Sequence, residues 1–201
     1  SDSYKKFKKI IFKNKLGNML DVKSNCNSNL INWRGRLSKS IVSTSNKLGG
    51  GVINELSHEI DYLNDLFGKI EYIFANINQN KKFNFNTEES VDVIMINKNK
   101  IPISLHLDYN SPISNRYCEV RFEKGTIKWD IKKNQIIITN SKGKIDKVLL
   151  KSNHYMNQIN CFFDQIKYNK FKKNDLNDAI EVIKIIKLIK TSNNKRIELK
   201  N

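Results

Sequence analysis

The chain has 201 residues and carries 36 Lys and Arg against 20 Asp and Glu, which gives a formal net charge of +16. This length fits one domain of ordinary size, which can bury roughly 70% of the surface of its extended chain. No apolar run approaches the ~20 residues that span a bilayer, and the lysine-rich start lacks the apolar segment of a signal peptide, so we expect a soluble, cytoplasmic protein.

The first predicted elements are a helix and a short strand. Apolar residues recur at helical spacing from Tyr4 to Leu16, and Gly17 follows as a stop signal. Met19 to Ser24 then reads as a strand. Residues 25–47 are polar and show no periodicity, which predicts a long loop. Loops of this length are more often functional than not.

The next segment, GGGVINELSHEIDYLNDLFG, is the most informative stretch of the chain. Its apolar residues form a single stripe with helical spacing, made by Ile53, Leu56, Ile60, Leu63 and Phe67. This stripe predicts one helix that ends at Gly68. The opposite side of that helix carries polar and titratable residues, namely Asn54, His58, Asp61 and Asp65.

From Lys69 to Leu150 the period changes to two residues, which predicts strands joined by short turns. The candidate strands are Ile70 to Ile77, Val91 to Ile96, Ile101 to Tyr109, Arg116 to Phe122, Thr126 to Ile131, Gln135 to Thr139 and Ile145 to Leu149, with Lys124-Gly125 as a hairpin turn. Two helices close the chain, at about His154 to Tyr168 and Asp175 to Lys190.

This order of elements predicts an α+β fold, in which helices cover one face of an open, mostly antiparallel sheet and leave the other face free. We find no internal repeat and no low-complexity linker, so residues 1–201 are expected to form a single domain.

The sequence offers no metal motif. Cys26, Cys118 and Cys161 lie far apart, which indicates neither a disulfide framework nor a C-x-x-C pair. His58-Glu59 begins the zinc pattern H-E-x-x-H, but Tyr62 occupies the position of its second histidine. We therefore expect no metal ligands.

Three other features leave alternatives open. A run of three glycines, Gly49 to Gly51, precedes a helix. These glycines either help the helix N-terminus to bind an anion or only allow the backbone to approach a neighbouring group closely. The sequence has no dinucleotide-binding fingerprint. His58 can serve as an acid or base near neutral pH, or be a polar surface residue. His106 projects to one face of its strand with Asp108, as a polar pair or part of a site.

A resemblance favours the functional alternative for the helix. GGGVINELSHEIDYLNDLFG resembles the glycine-rich, histidine-bearing helix in the C-terminal domain of the glucose-fructose oxidoreductase and inositol dehydrogenase family (Gfo/Idh/MocA). NWRGRLSKSIVSTSNKLGGG resembles the loop before that helix, SLHLDY and RFEKGTIKWD resemble sheet segments, and DLNDAIEVIKIIKLIKTSNNKRIEL resembles the closing helix and terminal strand. The resemblance implies the same α+β fold, with the free face of the sheet used for substrate and for subunit packing.

The resemblance also implies roles for particular residues. His58 matches the family's histidine acid/base, and Glu55 and Asp61 would orient it or bind hydroxyls. Many relatives carry Asp where this chain has Asn54, so Glu55 either takes that role or catalysis is weakened. The remaining expected substrate-binding residues are Trp33, Arg34, Arg36, Asn54 and His106. Arginine suits a sugar phosphate because its guanidinium can donate two parallel hydrogen bonds to an oxyanion.

Family members bind NAD or NADP through an N-terminal Rossmann domain that also supplies the lysine of an E-K-P motif. These residues contain neither, and the chain starts with Ser1, so we expect a fragment, an expressed domain or a gene remnant. By itself it should bind no cofactor and transfer no hydride.

The leading hypothesis is the substrate-binding domain of an NAD(P)-dependent sugar or sugar-nucleotide oxidoreductase in bacterial surface-sugar metabolism, forming a homo-oligomer through its sheet. One alternative is a non-catalytic oligomerisation or binding domain. Another is a basic nucleic-acid-binding module, because the pI is near 9.7. The positive charge is weak evidence for nucleic-acid binding, because it comes from lysines dispersed along the chain and from only five arginines. A composition of this kind also matches an AT-rich codon bias. We expect neither a nucleic-acid nor a membrane partner.

Overall fold

The computed structural model describes residues 2–35, 42–79, 85–150, 154–168, 176–193 and 197–198. Its helices are α1 (Asp2–Lys13), α2 (Leu30–Arg34), α3 (Val52–Glu55), α4 (Ser57–Phe67), α5 (His154–Tyr168) and α6 (Leu176–Thr191). Its strands are β1 (Met19–Asn27), β2 (Ile70–Asn78), β3 (Ser90–Asn97), β4 (Pro102–Asp108), β5 (Asn115–Phe122), β6 (Gly125–Asp130), β7 (Gln135–Asn140), β8 (Ile145–Leu149) and β9 (Ile197–Glu198). Among these helices, none is both long enough and apolar enough to cross a membrane.

The nine strands in the described part of the chain belong to one sheet, in the order β8-β7-β6-β5-β1-β4-β3-β2-β9. Strands β2, β3 and β4 pair as one antiparallel meander, and β5 to β8 pair as another, whose turns span two to four residues. The first strand, β1, lies between the two, parallel to β4 and antiparallel to β5. The sheet is therefore mostly antiparallel, and its central strand comes from the start of the chain.

Helices α1, α3, α4 and α6 pack against one face of this sheet. Alternate strand residues such as Val22, Val93 and Leu105 are buried on that face and form a single apolar core with the helices. The helices contribute mainly Phe7 and Ile11 of α1, Ile60 and Leu63 of α4, and Ile185 and Ile189 of α6. The intervening strand residues, such as Asp92 and Ile94, lie on the open face. The observed architecture is the α+β fold expected from the sequence.

Most predicted elements are confirmed within a few residues, but one loop, one turn and one helix differ from the expectation. The expected loop 25–47 starts later, because β1 extends to Asn27 and α2 follows it. Asn29 begins α2 by accepting a hydrogen bond from the Ile31 amide at 3.0 Å. The hairpin turn lies at Glu123-Lys124, one residue before its predicted position, because Gly125 already pairs with Phe122.

The expected single helix from the glycine run to Gly68 is interrupted. Leu56 adopts φ −101° and ψ 21°, which ends α3 and starts α4 at Ser57. The predicted apolar stripe remains buried on both sides of this break. Consequently, His58 lies in the first turn of a separate helix.

The glycine run serves close packing of the backbone. A Cβ on Gly50 would clash with the Val42 carbonyl oxygen, and a Cβ on Gly51 would clash with the Glu88 carboxylate. Gly51 also has φ +111°, a conformation that side chains disfavour. Because the largely buried Glu88 fills the space beside Gly51, a phosphate does not fit there.

We expect Gly51→Ala to lower the free energy of unfolding more than Gly49→Ala does. Alanine at Gly49 costs about 1–2 kcal/mol of backbone strain, because that residue is left-handed with φ +79° and ψ 22°. Alanine at Gly51 costs about 1–3 kcal/mol, because φ +111° with ψ 154° is a conformation that essentially only glycine adopts. Only the Gly51 substitution also adds a clash, at about 1–3 kcal/mol more, since no atom of the described residues lies within 4 Å of a Cβ at Gly49. Urea denaturation of both variants measures the difference, and equal losses would contradict this packing role.

Candidate functional site

His58 lies where two cavities meet. Its side chain is 47% exposed in the first turn of α4. The larger cavity, of about 560 Å³, is bounded by the ends of β1 and β5, the α3–α4 junction and the turn that holds Lys132. The smaller, of about 390 Å³, is a groove between α4 and α6. The imidazole is thus the group that both spaces share, and it is accessible to a ligand in either.

A buried carboxylate lies directly behind this imidazole. Glu59 is fully buried, and the Arg116 Nε donates a hydrogen bond of 2.6 Å to its Oε1. The His58 Nε2 lies 3.2 Å from the same oxygen. A buried charge needs such partners, because removing a carboxylate from water costs several kcal/mol. The Glu59–Arg116 pair therefore fixes a negative charge next to the exposed histidine.

The wall beside Glu59 is made of protonated thiols and a phenol. Burial, followed by the Glu59 charge, raises the pKa of Cys26 to about 12. Burial raises the pKa of Cys118 and Tyr62 as well, and Glu59 adds to both effects. The Tyr62 hydroxyl also shares a hydrogen bond of 2.7 Å with Ser24. At neutral pH these groups are uncharged, so neither buried thiol is a ready nucleophile.

Acidic residues line the smaller groove. Asp61 follows His58 by one turn, and Asp178 faces the groove from α6. Partial burial, and then the carboxylates of Asp65 and Asp178, raise the pKa of Asp61, whereas His58 opposes that rise. Asp61 is therefore within electrostatic range of His58, but the carboxylate that contacts the imidazole is Glu59.

The other expected site residues are placed in different ways. Glu55 is half-buried and lines the larger cavity together with His58. The Asn54 amide donates to the carbonyl oxygens of Gly49 and Gly50, at 2.9 and 3.2 Å, so it stabilises the glycine run. His106 lies on the open face of the sheet with its Nδ1 2.7 Å from Asp92, away from the covered face that carries Cys26. The fold brings Glu55 to His58 and separates His106 from it.

The expected contacts from the polar loop cannot be placed in the same way. Trp33 and Arg34 belong to α2, but their side chains lie outside the described residues, and so does Arg36.

Sequence reasoning missed Glu59, Arg116 and Cys26 as members of the site. Glu59 follows Leu56 by three residues and precedes Leu63 by four, so helical geometry places it at the edge of the apolar stripe. Cys26 extends the buried alternation of β1 beyond its predicted end. Arg116 has no local signal, because its position opposite Cys26 depends on the pairing of β5 with β1.

Comparison with protein-family models identifies one match. Residues 4–128 match the model described as the GFO/IDH/MocA C-terminal domain. Comparison with curated proteins gives no match.

Solved structures share the fold at low sequence identity. An aldose-aldose oxidoreductase from Caulobacter crescentus complexed with glycerol aligns over 98% of this chain and 60% of its own, with a TM-score of 0.83 and 12% identity. A levoglucosan dehydrogenase in complex with NADH and levoglucosan aligns over 97% and 62%, with a TM-score of 0.82 and 14% identity. A myo-inositol 2-dehydrogenase from Lactobacillus plantarum aligns over 100% and 62%, with a TM-score of 0.76 and 15% identity. The chain spans about three fifths of the length of each protein.

We expect Arg116→Met to lower the free energy of unfolding by about 3 kcal/mol, because it leaves the Glu59 carboxylate buried without its guanidinium partner. Arg121→Met is a matched control on the same strand. It breaks the more exposed Arg121–Asp21 pair and should cost less than about 1 kcal/mol. Urea denaturation at neutral pH measures both losses of unfolding free energy. Similar losses would show that the buried Glu59–Arg116 pair stabilises the fold no more than the exposed pair does.

Proposed function

Because the chain belongs to the GFO/IDH/MocA family and matches that family's C-terminal domain, we propose that it forms the substrate-binding part of an NAD(P)-dependent oxidoreductase. The proposed substrate is a sugar or sugar nucleotide, as in bacterial surface-sugar metabolism. The observation that carries the proposal is the half-exposed His58 imidazole, which lies at the junction of two cavities with a buried carboxylate behind it. Neighbours described with glycerol or with levoglucosan and NADH support the substrate class.

In this proposal His58 exchanges a proton with a substrate hydroxyl. Its Nε2 faces the Glu59 carboxylate, so the neutral tautomer that keeps the proton on Nε2 leaves the Nδ1 lone pair as the base. When Nδ1 takes up the hydroxyl proton, the nearby negative charge of Glu59 stabilises the resulting imidazolium. General-base catalysis of this kind relies on such orientation and charge compensation.

The larger cavity offers groups that suit a polar ligand. Arg116 and Lys132 line it with positive charge, and Glu55 lines it with a carboxylate. Hydroxyl groups of a sugar can accept from the cations and donate to Glu55. An anionic substituent such as a phosphate would be held by the guanidinium and the ammonium.

The glycine run does not fit the phosphates of a dinucleotide. The glycine run has the composition of a phosphate loop, but Glu88 and the Val42 carbonyl fill the space beside it. In the proposed enzyme, NAD or NADP bound outside this chain would supply the hydride chemistry. We therefore assign only substrate binding and proton exchange to this chain.

The test uses the chain joined to a dinucleotide-binding domain, with NAD(P)H absorbance followed on candidate sugars. His58→Ala should lower turnover by about 100-fold or more, as loss of a general base does. His106→Ala removes an imidazole from the open face and should leave turnover nearly unchanged. Near-normal turnover of His58→Ala would remove this histidine from catalysis.

The open face of the sheet supports a second proposal, that copies of the chain assemble through it. Phe74 and Ile94 are direct cross-strand partners on this face and are 40% and 53% exposed. Adjacent exposed apolar side chains on a sheet favour an interface. A non-catalytic assembly domain would use the same surface and differ only in showing no affinity for sugars.

We expect Ile94→Lys to shift the chain toward the monomer, because a lysine ammonium is costly to bury in an apolar contact. Ile113→Lys is the control, since Ile113 is 75% exposed in the loop before β5. Light scattering compares the molar masses. A monomeric unmodified chain, or equal masses for the three proteins, would rule out assembly through Ile94.

A further inference from the structure

We propose that Cys26, His58 and Glu59 form a binding site for a thiophilic divalent cation such as Zn²⁺. One donor atom from each residue lies within 4.8 Å of the other two. A thiolate, an imidazole and a carboxylate are the three ligand types that zinc uses in proteins, and three protein ligands with one open position are typical of its reactive sites. This inference goes beyond the proposed exchange of a proton at His58.

The three ligands come from elements that hold them together without a sequence motif. Cys26 lies near the end of β1, and His58 and Glu59 lie in the first turn of α4. Bonds of 2.0–2.3 Å to a tetrahedral zinc ion place its donor atoms roughly 3–4 Å apart. The His58 Nε2 and the Glu59 Oε1, 3.2 Å apart, already have this spacing, and one donor atom from each of the three residues lies within 4.8 Å of the other two.

A second observation also points to a ligand at this place. The Glu59 Oε2 is buried and, within the described part of the chain, accepts no hydrogen bond of good geometry, although the Cys26 thiol and the Tyr62 hydroxyl lie close to this carboxylate. An unpaired buried carboxylate oxygen is costly and calls for an ion or a water. Arg116 occupies only Oε1, so the other oxygen remains available while the guanidinium orients the carboxylate. Hydrogen-bonded carboxylate ligands of this kind are usual around metal sites.

The balance of charge favours a thiophilic cation over Mg²⁺. Binding breaks the Cys26 S–H bond, releases its proton to solvent and forms a metal–sulfur bond, with no change of oxidation state. Glu59 and the thiolate then contribute two negative charges, and the nearby Arg116 one positive charge. The guanidinium makes the site weaker than a structural zinc site. The sulfur ligand selects Zn²⁺ or Co²⁺, since Mg²⁺ prefers oxygen ligands.

Cys26 and His58 both line the cavity of about 560 Å³, from which a further ligand could reach the ion. A bound cation would hold the His58 Nε2 and so withdraw the imidazole from proton exchange. The consequence, inhibition of turnover by Zn²⁺, rests on the proposed function. Binding itself does not, which allows the two ideas to fail separately.

The test is a titration of the 201-residue chain with Co²⁺, read by the near-ultraviolet charge-transfer band of a cobalt–thiolate bond and by the visible bands of tetrahedral cobalt. We expect one equivalent to bind, Zn²⁺ to displace it and Mg²⁺ to leave it in place. Cys26→Ser should abolish the thiolate band, and His58→Gln should weaken binding by at least about tenfold.

Two matched variants control for adventitious binding. Cys161→Ser removes an exposed thiol on α5, and His106→Gln removes the imidazole beside Asp92; both should bind like the unmodified chain. Circular dichroism checks that each variant is folded. Absence of the thiolate band from the unmodified chain would overturn the proposal whatever the variants do. Loss of the band in Cys161→Ser, or its persistence in Cys26→Ser, would also overturn it.

Discussion

The buried Glu59 carboxylate is the constraint on which the arrangement of this site depends. A carboxylate without solvent must have a cation or hydrogen-bond donors near it, and here the Arg116 guanidinium supplies both. That requirement ties α4 to β5 across 57 residues of sequence. It also places a fixed negative charge behind His58. Burial, and then this charge, raise the pKa of the neighbouring Cys26 thiol and keep that thiol protonated.

The position of β1 makes this contact possible. Consecutive strands joined by short turns would pair β4 with β5, but β1 is inserted between them. The insertion sets Cys26 directly opposite Arg116, under the first turn of α4. A strand from the start of the chain thus forms the floor of the larger cavity, while later segments form its walls. The break at Leu56 completes the arrangement, because it gives His58 a place at a helix terminus.

The glycine run has the composition of an anion-binding motif but serves close packing of the backbone. Three glycines before a helix are compatible with an anion site, yet Glu88 occupies that space and Asn54 bonds to the carbonyl oxygens of the run. The glycines let the chain pass close to Val42 and Glu88 immediately before α3 begins. Their role is to place His58, and the roles assigned to Glu55 and Asp61 remain predictions around it.

The sequence by itself determined the elements and the fold class. Periods of two and of 3.6 residues are local properties, so the strands from Ile70 to Leu149 and the apolar stripe of α4 could be read directly. The resemblance added His58. Only the tertiary structure decided that β1 lies at the centre, that His106 faces away, and that Cys26 and Arg116 meet at Glu59. These contacts depend on which distant strands pair, and long-range pairing is set by burial and charge compensation over the whole chain rather than by any local pattern.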